Sequence, residues 1–468
     1  MELLEELGRI VGAAHVLTGA ETERYATDWT KVYASTPLAV VRPAATEEVS
    51  AVVKAAGKAG VAIVPVGGNT GLCGGTYGEG ALMVSLERMK AIRAIRPDAR
   101  VVTVEAGVVL DNLHTAVDEH GLIFPLIFGA RGSAMMGGCL STNAGGSNVL
   151  RYGSTRGLCL GLEVVLPSGE VLDLMTALHK DNSGYALKDL FIGAEGTLGI
   201  ITAANLKLFP KPAAYATAMV AVPSLGDALT LLNRVQTATG GAVEAFEYMP
   251  GPTINAIVDH FDGMRAPFEE TYDVNVLIEV GATAPRDATP ADDGTIPVVS
   301  YLEEVLGEML EEEAVLDAVV AQNEAQRAAM WAIREGNAEV ALENPPFVNT
   351  DVCVPLDHVE AWLDEIGPRL KALDEDMSCM IVCHFGDGNI HYTAQPSRDD
   401  AELLDQILEV VEELAIAHGG SFSAEHGIGK SKLASMRRRK NPVALNVMRQ
   451  IKLALDPEGR MNPGKVLP

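Results

Sequence analysis

The sequence predicts an α+β fold in two successive parts, and three observations predict it. Short apolar runs alternate with amphipathic helical stretches from Pro37 onward. Glycine is dense across residues 65–75 and 129–161, where it must serve the backbone rather than a core. At Pro210-Lys211-Pro212 the glycine density falls and a second strand–helix alternation begins, which marks a boundary. A chain of 468 residues also exceeds a single hydrophobic core. The expected division is residues 1–212, residues 213–420, and a closing segment 421–468 whose glycine-bearing loops suit a return to the first part.

Taken in order, MELLEELGRIVGAAHVL carries acids where a secretory leader would carry bases, so it reads as a short amphipathic helix. LAVV, a helix opening at Thr46-Glu47-Glu48, and VAIVPV form a βαβ-like start. ALMVSL and RVVTVEAG read as strands, residues 110–119 as a helix, and Ser168-Gly169 as a hairpin turn. In the second part YATAMVAV reads as a strand and LGDALTLLNRVQTA as a helix. Residues 284–297, polar and rich in proline, read as an exposed loop.

Composition excludes several classes. With 48% apolar and 21% charged residues the chain is an ordered globular one. Its formal charge of -27, relieved only at residues 437–440, would repel a phosphate backbone, so no nucleic-acid partner is expected. No apolar stretch has the length of a transmembrane segment. Six cysteines without a CxxC pair fit reduced thiols, and a cytoplasmic location is expected.

PVGGNTGLCGG, residues 65–75, sets five glycines with Asn69 and Thr70 directly after a strand, so several N–H groups can converge on an anion such as a dinucleotide pyrophosphate. It is neither GxGxxG nor a Walker A loop. Gly132, Ser133, Gly137, Gly138 and the run from Ser141 to Gly146 form a second cluster, and two such loops can clasp a long ligand.

These segments, with STNAGGSNVLRYGSTRG, KDNSGY and LFIGAEGTLGIIT, resemble the FAD-binding half of the D-2-hydroxyglutarate and D-lactate dehydrogenase family, similar in fold to p-cresol methylhydroxylase and vanillyl-alcohol oxidase. The resemblance implies a two-part FAD-binding domain of vanillyl-alcohol-oxidase type and an α+β substrate domain with an antiparallel sheet. It implies that Pro65, Gly67, Gly68, Asn69, Thr70, Gly71, Gly74 and Gly75 wrap the FAD pyrophosphate. Gly132, Ser133, Gly137, Gly138, Ser141, Asn143 and Gly145 would line the flavin, and Glu195, Gly196, Ile201 and Asn462 match further cofactor-side positions. Asn69 and Thr70 stand where covalent relatives place a histidine, so noncovalent FAD is expected.

HFGDGNIH places His384 and His391 seven residues apart, on opposite faces of a straight strand. A two-residue type I′ turn at Asp387-Gly388 would instead pair His384 with His391 across a hairpin. Two imidazoles there can share zinc or manganese, with Glu425 of SAEHGIG the candidate third ligand. The family gives residues matching Glu425 and His426 the roles of ligand and catalytic base. Arg334, in MWAIRE, matches an arginine that binds the substrate carboxylate.

The resulting expectation is metal-assisted oxidation of a small D-2-hydroxy acid to its 2-oxo acid by hydride transfer from C2 to FAD. Hydroxyglutarate-specific members carry a threonine, a lysine and an asparagine where this chain has Ala338, Asn349 and Thr393. That difference favours a D-lactate-like monocarboxylate, with D-2-hydroxyglutarate the alternative. The electron acceptor would be a quinone, an electron-transfer flavoprotein or a cytochrome, and a homodimer is a family expectation. Two readings of other classes are a metal-dependent hydrolase with structural glycine loops and a flavin-binding subunit without catalysis; the His384, His391, Glu425 and His426 set argues against the second.

Overall fold

A computed structural model describes residues 2–468. The chain forms two compact units. The first comprises residues up to Gly145, Gly153–Pro210 and Glu425–Pro468, and the second comprises Gly146–Tyr152 and Lys211–Ala424.

In the first unit, Ala39–Val41, the helix Thr46–Lys58 and Ile63–Val66 form the βαβ start, with Leu82–Ser85 parallel to and between the two strands. The helix forms because Val49, Val52, Val53 and Ala56 recur on one face, which packs on this sheet with Leu7 and Val11 of the helix Glu2–Val11. A second, antiparallel sheet of five strands contains Val101–Glu105, Ile200–Lys207 and Cys159–Val165. Cys159–Val165 turns into Val171–Leu174 through Ser168-Gly169, with Gly169 at φ 81°.

The second unit is built on seven antiparallel strands in the order Asp317–Val320, Ala214–Val222, Val274–Ala282, Val243–Met249, Ser378–His384, Asn389–Gln395, Val348–Cys353. Alternation gives the sheet two unlike faces. One face carries Val220, Phe246, Tyr248, Ile278, Ile390 and Tyr392 and is covered by the helices Leu225–Ala238, Pro297–Glu311, Val359–Lys371 and Ala401–Ala417. The other carries Met219, Met249, Leu277 and Val382 beneath the helices Gly251–His260 and Glu324–Glu343. Residues 284–297 are mostly irregular, with one helical turn at Pro285–Ala288.

The hairpin at HFGDGNIH differs from the two-residue turn expected. His384 pairs with Asn389 and His391 with Val382, so the loop has four residues, 385–388. Phe385 explains it: its ring is buried in the core beside Phe246, 5.9 Å between centroids, and the Gly386 N–H donates to the Phe246 carbonyl. The chain therefore reverses only after Phe385 is seated, and Gly388 closes the loop at φ 81°.

Candidate active site

The mixed face of the second sheet holds the first cluster. Parity places Glu247 with Met249 and His384 with Val382, while His391 opposes Val382 and Asp351 opposes His391, so all four polar residues share the face. His384 and His391 are diagonal neighbours with ring centroids 5.2 Å apart. The His384 Nδ1–H donates to Glu247 Oε1 at 2.8 Å, which makes Nε2 the nitrogen that could serve as a metal ligand. Asp351 Oδ1 lies 3.9 Å from His391 Nδ1 and accepts from Asn389 Nδ2 at 2.9 Å. Both histidines belong to a group of side chains whose donor atoms are close enough to share one ion. Imidazole nitrogens braced by buried carboxylates suit a borderline divalent cation.

Arg334 reaches the same place from the helix Glu324–Glu343. Its Nε donates to Glu247 Oε2 at 2.6 Å and its Nη2 lies 3.5 Å from His384 Nε2. Burial would push the Glu247 carboxyl up, but His384 and Arg334 outweigh it and hold it at about 2. Glu247 thus stays ionised and fixes an imidazole and a guanidinium together. Sequence reasoning missed both Glu247 and Asp351; the signal was an acid inside an apolar strand run, as in VEAFEYM and VNTDVC. One and two turns before Arg334, Trp331 and Arg327 bond a further buried carboxylate, Glu279.

Glu425 and His426 follow directly on Ala424, whose N–H donates to the Asp351 carbonyl at 3.1 Å. Two residues beyond His426, in the first unit, Ile428 and Gly429 N–H donate to the Glu195 carboxylate at 2.7 Å each. Glu425 and His426 are half-buried between these two anchors in the chain.

The glycine clusters gather in the first unit. Gly68 has no room for a Cβ against the Ser133 carbonyl, and a Cβ on Gly67 would lie 3.7 Å from Gly138 N, so the two loops abut. Cβ atoms on Gly71 and Gly138 would instead meet nothing within 4 Å, which leaves backbone facing open space, the cradle a large anionic cofactor needs. Asn69, Asn143, Glu195 and Asn462 all hold positive φ, between 41° and 54°. Left-handed non-glycine residues gathered at one locus are strain of the kind stored at ligand sites. Asn462 Nδ2 ties Gly75 O at 3.0 Å to Glu195 O at 2.7 Å, and the Glu195 N–H donates to Ser141 O. Asn69 braces its own loop through Thr27 O and Thr76 Oγ1. Pro65 packs where a Gly196 side chain would stand, with Ile201 buried on the adjoining strand.

Comparison with known proteins agrees with this arrangement. Residues 37–175 match the family model "FAD binding domain" and residues 211–466 match "FAD linked oxidases, C-terminal domain". The chain is 36% identical over 455 residues to a D-2-hydroxyglutarate dehydrogenase of Xanthomonas citri, covering 96% of this chain and 93% of the relative. It is 35% identical to the mitochondrial D-2-hydroxyglutarate dehydrogenase of Bos taurus (99% and 83% covered), and 32% identical to a putative mitochondrial D-lactate dehydrogenase of Schizosaccharomyces pombe (95% and 85%). Among solved structures, alkyldihydroxyacetonephosphate synthase aligns with a TM-score of 0.75 at 18% identity, covering 99% of this chain and 86% of that one. Substrate-bound p-cresol methylhydroxylase aligns at 0.73 and 15%, covering 99% and 96%. Among the described residues no helix is long and apolar enough to cross a membrane. With both halves matched and the two-loop cradle in place, the chain belongs to the FAD-linked oxidase family, with the p-cresol methylhydroxylase type of fold.

Proposed function

We propose that the chain oxidises a D-2-hydroxy acid to the 2-oxo acid, and that D-2-hydroxyglutarate is its substrate. The observation that carries the reaction is the cluster in which Glu247 holds Arg334 and His384, with His391 beside His384. FAD, held noncovalently by the glycine cradle, would supply the hydride acceptor, and a zinc or manganese ion on His384, His391 and Glu425 would supply Lewis acidity to the substrate hydroxyl. The chain's own residues do the rest. Arg334 keeps Nη donors for the substrate carboxylate while Glu247 holds its Nε. His426, as a neutral imidazole, takes the hydroxyl proton as the C2 hydride leaves.

The choice of D-2-hydroxyglutarate rests on the relatives at 35–36% identity that carry that name, against 32% for the D-lactate relative. A D-lactate-like monocarboxylate is the second reading, favoured by the neutral pair Asn349 and Thr393, which bond each other at 3.1 Å where hydroxyglutarate enzymes place a cation. The proposed acceptor is a quinone, an electron-transfer flavoprotein or a cytochrome. A reducing compartment suits six cysteines that form no disulfide among the described residues.

The test is an anaerobic absorbance spectrum with each acid in turn. Bleaching of the flavin bands by D-2-hydroxyglutarate and not its L-isomer supports the proposal. Bleaching by D-lactate alone moves the substrate to the second reading, and a protein that binds no FAD after reconstitution ends both.

A further inference from the structure

The C-terminal segment carries two lysines to the far end of the first glycine loop. The backbone N–H groups of Lys430 and Ser431 donate to the Cys73 carbonyl at 2.8 and 3.1 Å. Asn462 holds the Gly75 carbonyl, and three residues later Lys465 is only 5% exposed. Both ammonium groups address one ring: Lys430 Nζ is 3.4 Å from the Tyr77 centroid and Lys465 Nζ is 5.8 Å from it. Tyr33 stands edge-on to Tyr77 and meets Lys430 at 5.7 Å.

What these cations lack is an anion. Lys465 Nζ donates one hydrogen bond, to the Pro463 carbonyl at 2.9 Å, leaving two of its three N–H groups without an acceptor. Among the described residues the Lys430 ammonium has ring contacts and no hydrogen bond or ion pair. The acid closest in electrostatic effect, Glu195, has both oxygens committed to the Ile428 and Gly429 N–H groups. Burial and Lys430 together hold the Lys465 ammonium down to about 8, with Glu195 opposing in part. A buried ammonium next to a second cation is costly unless an anion completes the group. In a chain of formal charge -27 carboxylates are plentiful, yet among the described residues none forms an ion pair with either lysine.

We propose that Lys465 and Lys430 form a cation pair, positioned by Tyr77, that binds an anionic group of FAD at the residue 73–77 end of the first glycine loop. The group is the diphosphate or the electron-rich edge of the ring system. The inference rests on family membership and not on the choice of hydroxy acid.

The test uses the full chain as Lys465→Met and Lys430→Met, with FAD removed and added back. FAD affinity is read by fluorescence quenching at low and high salt, and the midpoint potential of bound FAD by dye equilibration. If the diphosphate is the partner, Lys465→Met weakens FAD by about tenfold or more, the salt dependence becomes shallower, and riboflavin affinity is unchanged. If the ring is the partner, the midpoint potential becomes more negative while FAD affinity holds within about twofold. Should Lys465→Met fail to fold, the half-exposed Lys430→Met carries the same two readings. Unchanged affinity and potential in a folded variant overturn the proposal.

Discussion

Removing the Glu247 carboxylate would leave the Arg334 guanidinium and the His384 Nδ1–H without their acceptor inside the second unit. Glu247→Ala should therefore cost about 3–5 kcal/mol of stability, because a buried cation loses its partner. Glu247→Gln keeps the shape and the neutral hydrogen bond, and should instead lower metal affinity by about 10–100-fold. Metal content after dialysis against a graded chelator checks this; an unchanged midpoint would remove Glu247 from the metal's support. His426→Asn should abolish turnover and leave the FAD absorbance spectrum intact, which stopped-flow reduction by substrate would show. His384, His391 and the glycines stood out in the sequence by residue type and spacing, and Arg334 through the family resemblance alone. Glu247 and Asp351 did not, since a short acid in a strand looks like an outward polar position until the covering helix is known. Lys430 and Lys465 were invisible for another reason: their meeting at Tyr77 joins residues more than 350 positions apart in the chain.

The hairpin that carries both histidines depends on Gly388, which holds φ 81° and leaves no room for a Cβ beside the Val354 carbonyl. Gly388→Ala should cost about 1–3 kcal/mol and loosen the metal at the same time. The measurement is the denaturant midpoint at constant slope, paired with metal content. Gly307 is the control. It lies inside the helix Pro297–Glu311, and a methyl group there would meet nothing within 4 Å, so Gly307→Ala should stabilise by about 0.5–1 kcal/mol and leave the metal alone. The start of the helix Thr46–Lys58 and the whole extent of the helix Leu225–Ala238 were legible from the sequence pattern. The hairpin register was not, because the shortest turn satisfies the local rules and only the burial of Phe385 selects the longer one.

For the whole molecule the Lys465 ammonium gives a pH signature. Its folded value, about 8, lies below the ordinary lysine value, so the folded apoprotein binds fewer protons than the unfolded chain between pH 8 and 10.5. The Lys465 contribution to stability then rises with pH across that window, its penalty being complete below about 8, while the buried thiols of Cys139, Cys159 and Cys383, pushed up by burial, pull the other way above the ordinary thiol range. Thermal melts of the FAD-free protein and of Lys465→Met isolate that contribution: the unsubstituted protein should gain on the variant as pH rises from 8 to 10.5. Equal slopes in the two proteins would mean that other groups set the dependence.

The discontinuity of the first unit has a consequence in time. Its piece Glu425–Pro468 leaves the ribosome only after both parts of the second unit, Gly146–Tyr152 and Lys211–Ala424, have been made. Asn462 and Lys465 lie in that piece, so the cradle around Gly75 and Glu195 is completed only after the second unit has been made. The second unit, with its own core, can fold while the first waits, and closing so long a loop in sequence makes completion the slow step. Cofactor capture then waits for residues 425–468. A ribosome stalled or a protease cutting near residue 424 would yield an ordered second unit that takes up no flavin, a colourless by-product separable from the yellow holoprotein.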